Sequence, residues 1–138
     1  MNTHKDISDL VQLANKLADA AGEAILPFFR AETVSVENKS SSQYDPVTEA
    51  DRAAEQAMRA ILDDARPDDA IQGEEFGAKP GTSGWTWYLD PIDGTRAFLA
   101  GLPSWTTLIG LVRDEKAIAG IIDQAYLKER YVGAPGGT

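Results

Sequence analysis

Asp90 and Asp93 flank a Pro-Ile pair, and Gly94-Thr95 follows directly. Two carboxylates at this spacing can share a divalent cation if the backbone folds them toward one small space. The aromatic, apolar run from Trp85 to Leu89 leads in and reads as a buried strand. If that strand continued, Asp90 and Asp93 would lie about 10 Å apart and point to opposite faces. Pro91 fixes φ and removes a ladder donor, so a central strand is expected to stop here. Asp90 and Pro91 suit the first two positions of a type I turn, whose outer Cα atoms lie within roughly 7 Å. Two carboxylates so placed repel unless a cation sits between them. Their hard oxygens suit Mg²⁺ or a relative. The competing reading is a strand that ends in a polar turn, with Asp93 capping a short helix.

The residues beyond the turn add a second kind of chemistry. Gly94 permits close backbone approach. Thr95 to Ala100 has helical character, ended by Gly101 and Pro103. A helix starting near Gly94 or Thr95 aims free N–H groups at whatever lies above Asp93, which makes an anion site suited to phosphate. Metal-binding carboxylates beside such a site suggest metal-assisted hydrolysis of a phosphate ester.

These residues need elements to position them. Ile7, Leu10, Val11, Ala14, Leu17, Ala18, Ala21, Ile25 and Phe28 recur at helical spacing, which predicts a helix over 7–30 that Ser8 or Asp6 could cap and Pro27 should bend. Val34 to Glu37 alternates like a short strand, and 38–44 reads as a loop whose one cation, Lys39, could reach a phosphate or carboxylate. Asp45-Pro46-Val47-Thr48-Glu49-Ala50-Asp51 opens a second helix that runs to about Ala65. Thr48 and Asp51 have capping-box-like spacing, and Asp51 would by itself be a first-turn carboxylate favoured by the helix dipole. Ala70 to Gln72 reads as a short strand, followed by Gly73-Glu74-Glu75-Phe76-Gly77. Glu74, at a glycine-marked strand end, is the candidate third metal carboxylate. The stretch 78–84 reads as a loop. Trp105 to Val112 and Lys116 to Ile122 form a hairpin around Arg113-Asp114-Glu115, and Arg130 to Val132 adds a third strand. Helices first and strands second predict an α+β arrangement with helices packed on a largely antiparallel sheet.

Composition bounds the function. The 138 residues can build one domain with its own core. Hydrophobic content of 43% and charged content of 25% are typical of a water-soluble globular chain. A net charge of −9 argues against a nucleic-acid surface. It does not argue against a phosphate substrate, because bound Mg²⁺ reverses the local sign. The absence of cysteine excludes disulfides, zinc-thiolate centres and thiol nucleophiles. No apolar run approaches the roughly 18 residues of a membrane span, and the first residues lack a signal-peptide core. Cytoplasmic residence is the default expectation.

Three separated motifs, Asp45 to Asp51, Gly73-Glu74-Glu75 and Asp90 to Thr95, in this order and spacing, resemble the inositol monophosphatase family. The resemblance runs from the first helix to the end of the chain. Further stretches, Asp93 to Phe98, Gly101-Leu102-Pro103, Gly120 to Gln124 and Leu127 to Tyr131, are similar to the histidinol-phosphatase branch. Inositol-specific members usually carry Asn where this chain has Arg96. The resemblance implies a layered α/β phosphatase fold and a Mg²⁺-dependent phosphomonoesterase with two or three ions. It implies Glu74, Asp90, Asp93 and the Ile92 carbonyl as metal ligands. Glu74, Thr95 and Asp51 would be catalytic, with Thr95 orienting and helping to deprotonate the attacking water. Glu74, Ile92, Asp93, Gly94 and Thr95 would line the phosphate site, with Lys39 and Arg96 as further candidates.

Histidinol phosphate is the first substrate expectation; inositol-1-phosphate or a nucleotide 3′-phosphate are alternatives. The family is roughly twice this length and commonly dimeric. Its second half supplies a further metal-ligand aspartate and much of the substrate pocket. Residues 1–138 are therefore expected to be an N-terminal metal- and phosphate-binding domain, apparently truncated, that by itself binds metal weakly and turns over slowly or not at all. A non-catalytic metal-binding or oligomerisation fragment is the alternative from another class.

Overall fold

The computed structural model describes residues 3–31 and 46–137, with side chains described from Asp6 and from Val47 in the two stretches. The expected strand at 34–37, the loop at 38–44 with Lys39, and Asp45 lie outside the described residues.

Helix α1 (Thr3–Ile25) buries Leu10, Ala14, Leu17, Ala18, Ala21 and Ile25, the stripe that helical periodicity predicts. Pro27 acts as expected: the α-helix gives way to a 3₁₀ turn over Leu26–Phe28 with the proline in its first residues. Helix α2 (Pro46–Ala65) buries Val47, Ala50, Ala54, Met58 and Leu62. It begins two residues before Thr48, so Thr48 lies inside the first turn and does not head a capping box. Asp51 is turned instead toward the sheet.

Six strands follow: β1 (Ala70–Gly73), β2 (Gly77–Lys79), β3 (Trp85–Asp93), β4 (Thr106–Arg113), β5 (Lys116–Gln124) and β6 (Glu129–Gly133), with a short helix α3 (Thr95–Leu99) between β3 and β4. They form one sheet in the order β2-β1-β3-β4-β5-β6. Every pairing is antiparallel except β1 with β3. The expected hairpin is present, turning on Asp114 and Glu115, both at positive φ (49° and 65°) as a two-residue type I′ turn demands. Strand β2 falls in a stretch that reads as loop, because its Gly-Ala-Lys sequence has no strand periodicity.

Residues of odd number in β3 and β4 face the two helices. Trp87, Leu89, Thr107, Ile109 and Leu111 are buried there. The other face carries Tyr88, Ile122 and Tyr131, each about half exposed or more. Register places Asp90, Leu108, Ile122 and Tyr131 in one row across four strands of that face.

Candidate active site

Strand β3 does not end at Pro91. It runs to Asp93, and the expected type I turn is replaced by a β-bulge. Asp90 pairs with Leu108 and Asp93 with Thr106, so the register breaks between them. Proline is tolerated inside a sheet at a bulge, where its missing N–H costs no ladder bond. The Pro91 carbonyl is satisfied by the buried Thr107 hydroxyl, which donates to it at 2.8 Å. The bulge does the work expected of the turn: it disrupts the two-residue alternation, so Asp90 and Asp93 act on one another. Ile92 is buried.

Beyond Asp93 the chain turns at Gly94, which has φ 93°. A Cβ there would lie 3.3 Å from the Ser104 carbonyl oxygen and 3.3 Å from the Trp105 Cα, so the positive φ favours glycine and a side chain would also crowd this backbone. Helix α3 then begins at Thr95, and its backbone bonding starts with the Phe98 N–H donating to the Gly94 carbonyl at 3.1 Å. The earlier N–H groups have no partner within the helix. Phe98 anchors the segment among Phe29 and Trp105, with ring centroids 5.3 Å away in each case. Arg30 ties down its far end, donating from Nε to the Gly101 carbonyl at 2.9 Å and from Nη1 to the Tyr126 hydroxyl at 2.7 Å. Thr95 and Arg96 are both exposed on α3.

Asp51 enters from α2. It is buried, and its carboxylate accepts the Ile92 N–H, which fixes the helix to the bulge. Burial, together with the Glu75, Asp90 and Glu74 carboxylates, pushes its pKa from the ordinary 3.8 to about 7. Asp90 responds in the same way: burial, then Glu74, Asp93 and Glu75, raise it to about 6. Four expected site carboxylates, Asp51, Glu74, Asp90 and Asp93, therefore share one electrostatic field. Glu75 belongs to it as well. A cleft of about 900 Å³ opens beside them, with Gly73, Glu74, Tyr88, Asp90 and Leu108 in its lining.

The donor set suits a hard divalent cation. Asp90 Oδ1 is buried with no hydrogen-bond partner among the described residues, a costly state that a cation would relieve. Among the described residues, however, no three carboxylate or imidazole groups are already drawn together tightly enough to hold an ion. The residues present fit Mg²⁺ in chemistry, with Glu74 and Asp93 exposed and able to swing onto it.

The sequence that carries these motifs matches a known family over nearly its whole length. The profile of the inositol monophosphatase family matches residues 6–137. The chain belongs to the inositol monophosphatase family. It is 43% identical over 133 residues to the chloroplastic bifunctional phosphatase IMPL2 of Arabidopsis thaliana, covering 95% of this chain and 38% of that protein. It is 41% identical over 130 residues to a histidinol-phosphatase of Streptomyces coelicolor, covering 91% and 48% respectively. Among solved structures, an inositol monophosphatase from Zymomonas mobilis superposes with a TM-score of 0.76 at 46% identity, covering 94% of this chain and 48% of that one. The chain thus spans half or less of the length of these relatives. The family's layered phosphatase fold, with helices on a mostly antiparallel sheet, is the fold described above.

Two residues of the site escaped the sequence reading. Glu55 is fully buried four residues after Asp51, and Glu75 adds to the shared field. The signal for Glu55 was available: with Asp51, Met58 and Leu62 it lies on the apolar stripe of α2, where a carboxylate has no place unless it is paired. Among the described residues no helix is long and apolar enough to cross a membrane.

Proposed function

We propose that the complete protein is a Mg²⁺-dependent phosphomonoesterase and that this chain supplies its metal- and phosphate-binding half. The observation that carries the reading is Asp90 Oδ1, buried and without a partner among the described residues, where carboxylates of three segments meet. Glu74, Asp90, Asp93 and the Ile92 carbonyl would hold two or three Mg²⁺ ions. Bound there, the metal would lower the pKa of a water toward neutrality and neutralise charge on the phosphate. The protein's own part is positioning. The Thr95 hydroxyl orients the attacking water, and the Asp51 and Glu74 carboxylates receive its proton. The N–H groups of Gly94 and Thr95 hold phosphate oxygens, as helix starts do. Arg96 stands exposed one residue beyond Thr95 on the same short helix, where it would face the substrate.

Histidinol phosphate is the substrate we favour. The similarity to the Streptomyces histidinol-phosphatase supports it, as does Arg96 where inositol-specific relatives carry Asn. Inositol-1-phosphate remains the second reading, favoured by the similarity to the Zymomonas inositol monophosphatase. Homodimerisation of the complete protein belongs to the same proposal.

The test is phosphate release from histidinol phosphate, inositol-1-phosphate and a nucleotide 3′-phosphate, with Mg²⁺ or with chelator. The chain is assayed alone and fused to the second half of a relative. The fusion is expected to prefer histidinol phosphate and to require Mg²⁺, with Asp93→Asn abolishing turnover. The chain alone is expected to be slow or inactive. A fusion that binds Mg²⁺ yet hydrolyses none of the three esters would favour a non-catalytic metal-binding module.

A further inference from the structure

Helix α2 places two carboxylates one turn apart on its buried face. Asp51 holds the Ile92 N–H of the bulge. Glu55, fully buried, holds the other half of the site. Its Oε1 accepts the Glu75 N–H at 3.0 Å, and its Oε2 accepts the Phe76 N–H at 2.9 Å. Arg59 completes the arrangement. Its Nε donates to Glu55 Oε2 at 3.0 Å, and its Nη2 donates to the Gly77 carbonyl. The turn between β1 and β2 is therefore fixed at both ends from one helix. Gly73 is part of the fit, because a Cβ there would collide with the Glu55 carboxylate carbon and both its oxygens.

Glu74 is the residue this arrangement surrounds. It sits between Gly73, pressed against the Glu55 carboxylate, and Glu75, whose N–H is bound to it. Its exposed side chain leaves a fixed backbone position at the rim of the cleft it shares with Asp90. We infer that Glu55 is a positioning residue: it fixes the Gly73–Gly77 turn so that Glu74 meets Asp90 and Asp93 around the metal. This rests on the proposed metal-dependent reading of the site. A carboxylate is needed because both oxygens accept N–H donors at once. A carboxamide offers one accepting oxygen and sets its own NH₂ against the remaining donor.

The experiment uses the 138-residue chain, Mn²⁺ as a paramagnetic probe, and amide-resolved NMR. The wild-type chain is expected to show slowed exchange at the Glu75 and Phe76 amides and Mn²⁺ broadening at Glu74 and Asp90. Glu55→Gln is expected to speed exchange at those two amides by about tenfold or more. It is also expected to weaken Mn²⁺ binding by roughly tenfold to a hundredfold, the range for groups that orient metal ligands. A purely structural role would lower Tm and leave the Mn²⁺ affinity of the folded chain untouched, and that result would overturn the inference. If Glu55→Gln does not fold, Arg59→Leu at a partly exposed position loosens the same turn. Wild-type Mn²⁺ affinity in that folded variant would equally overturn it. Failure of the wild-type chain to bind Mn²⁺ near Asp90, with the two amides still protected by Glu55, would sink the metal reading and with it the purpose assigned to the turn.

Discussion

The carboxylate cluster should make the metal-free chain less stable as pH rises through neutrality. Asp51 titrates at about 7 in the folded chain against an ordinary 3.8, and Asp90 at about 6. Both are raised, so the folded state binds more protons than the unfolded state between these values, and stability falls with rising pH. Their contribution is fully present below about pH 4 and lost by about pH 7 to 8. For Asp51 the difference corresponds to about 4 kcal/mol, and for Asp90 to about 3 kcal/mol. The two groups interact, so the sum is an upper bound. Even the smaller figure is a large part of a typical domain's 5–15 kcal/mol, roughly stated. Asp69 bounds the other side: its pKa is lowered, so its stabilisation is lost as pH falls below about 4. Thermal unfolding in chelator should therefore give the highest Tm near pH 5 and a clear fall toward pH 8. Asp51→Asn should flatten that fall. Mg²⁺ should raise Tm at pH 8 and do little at pH 5, where protons compete for the same oxygens. A metal-free Tm that is level or rising from pH 5 to 8, or an Asp51→Asn chain with the wild-type slope, would refute this account of the site.

Other perturbations separate scaffold from site. Asp69→Ala removes the acceptor for Arg66, Ser83 and the fully buried Trp87 indole, which donates at 2.8 Å. It should cost about 3–5 kcal/mol in urea unfolding, as breaking a buried charged network does; a loss below about 1 kcal/mol would show that water replaces the carboxylate. Gly94→Ala should cost about 1–3 kcal/mol, because it forces φ 93° on a residue with a Cβ against the Ser104–Trp105 backbone. Unchanged stability there would mean the turn relaxes freely. Phe98→Ala should cost about 3–4 kcal/mol through the cavity left among Phe29 and Trp105. It should also speed amide exchange throughout α3, and an unaltered exchange pattern would count against Phe98 as the anchor.

Much of this molecule was legible in its sequence, and the parts that were not have physical reasons. The apolar stripes of α1 and α2 carry a strong 3.6-residue signal, and both helices form where that signal lies. The hairpin of β4 and β5 was equally clear. Pro91 misled because proline is a poor guest in a paired strand, whereas here the missing N–H falls at the register break and Thr107 satisfies the carbonyl. A bulge depends on the partner strand, and local sequence does not report it. The parallel pairing of β1 with β3 is likewise a tertiary fact: β2 runs back antiparallel along one edge of β1, and the chain then reverses again to enter β3 on the other. The fold brings the expected site carboxylates Asp51, Glu74, Asp90 and Asp93 into one electrostatic field, but Glu55 lies outside the motifs that pointed to them. Its role depends on N–H groups 20 and 21 residues away.

The buried carboxylates divide by how their burial is compensated. Asp69 receives hydrogen bonds from Arg66, Ser83 and Trp87, which outweigh the cost of desolvation and hold its pKa down. Asp123 is paired with Arg130 at 2.8 Å. Glu55 accepts two backbone N–H groups and Arg59. Each of these is stable as it stands, and each joins elements distant in sequence. Asp90 differs: among the described residues its Oδ1 has no partner, and carboxylates, not donors, are its strongest neighbours. Asp51, the fourth buried carboxylate, shares that repulsion, and a fold able to satisfy three buried carboxylates in detail has no structural need to leave Asp51 and the buried Asp90 Oδ1 so exposed to it. The imbalance is local, sits where the bulge and the Glu74 turn meet, and is of the sign that a divalent cation reverses. It is this contrast within one chain, rather than the number of acidic residues, that supports the metal site proposed at Asp90 and its neighbours.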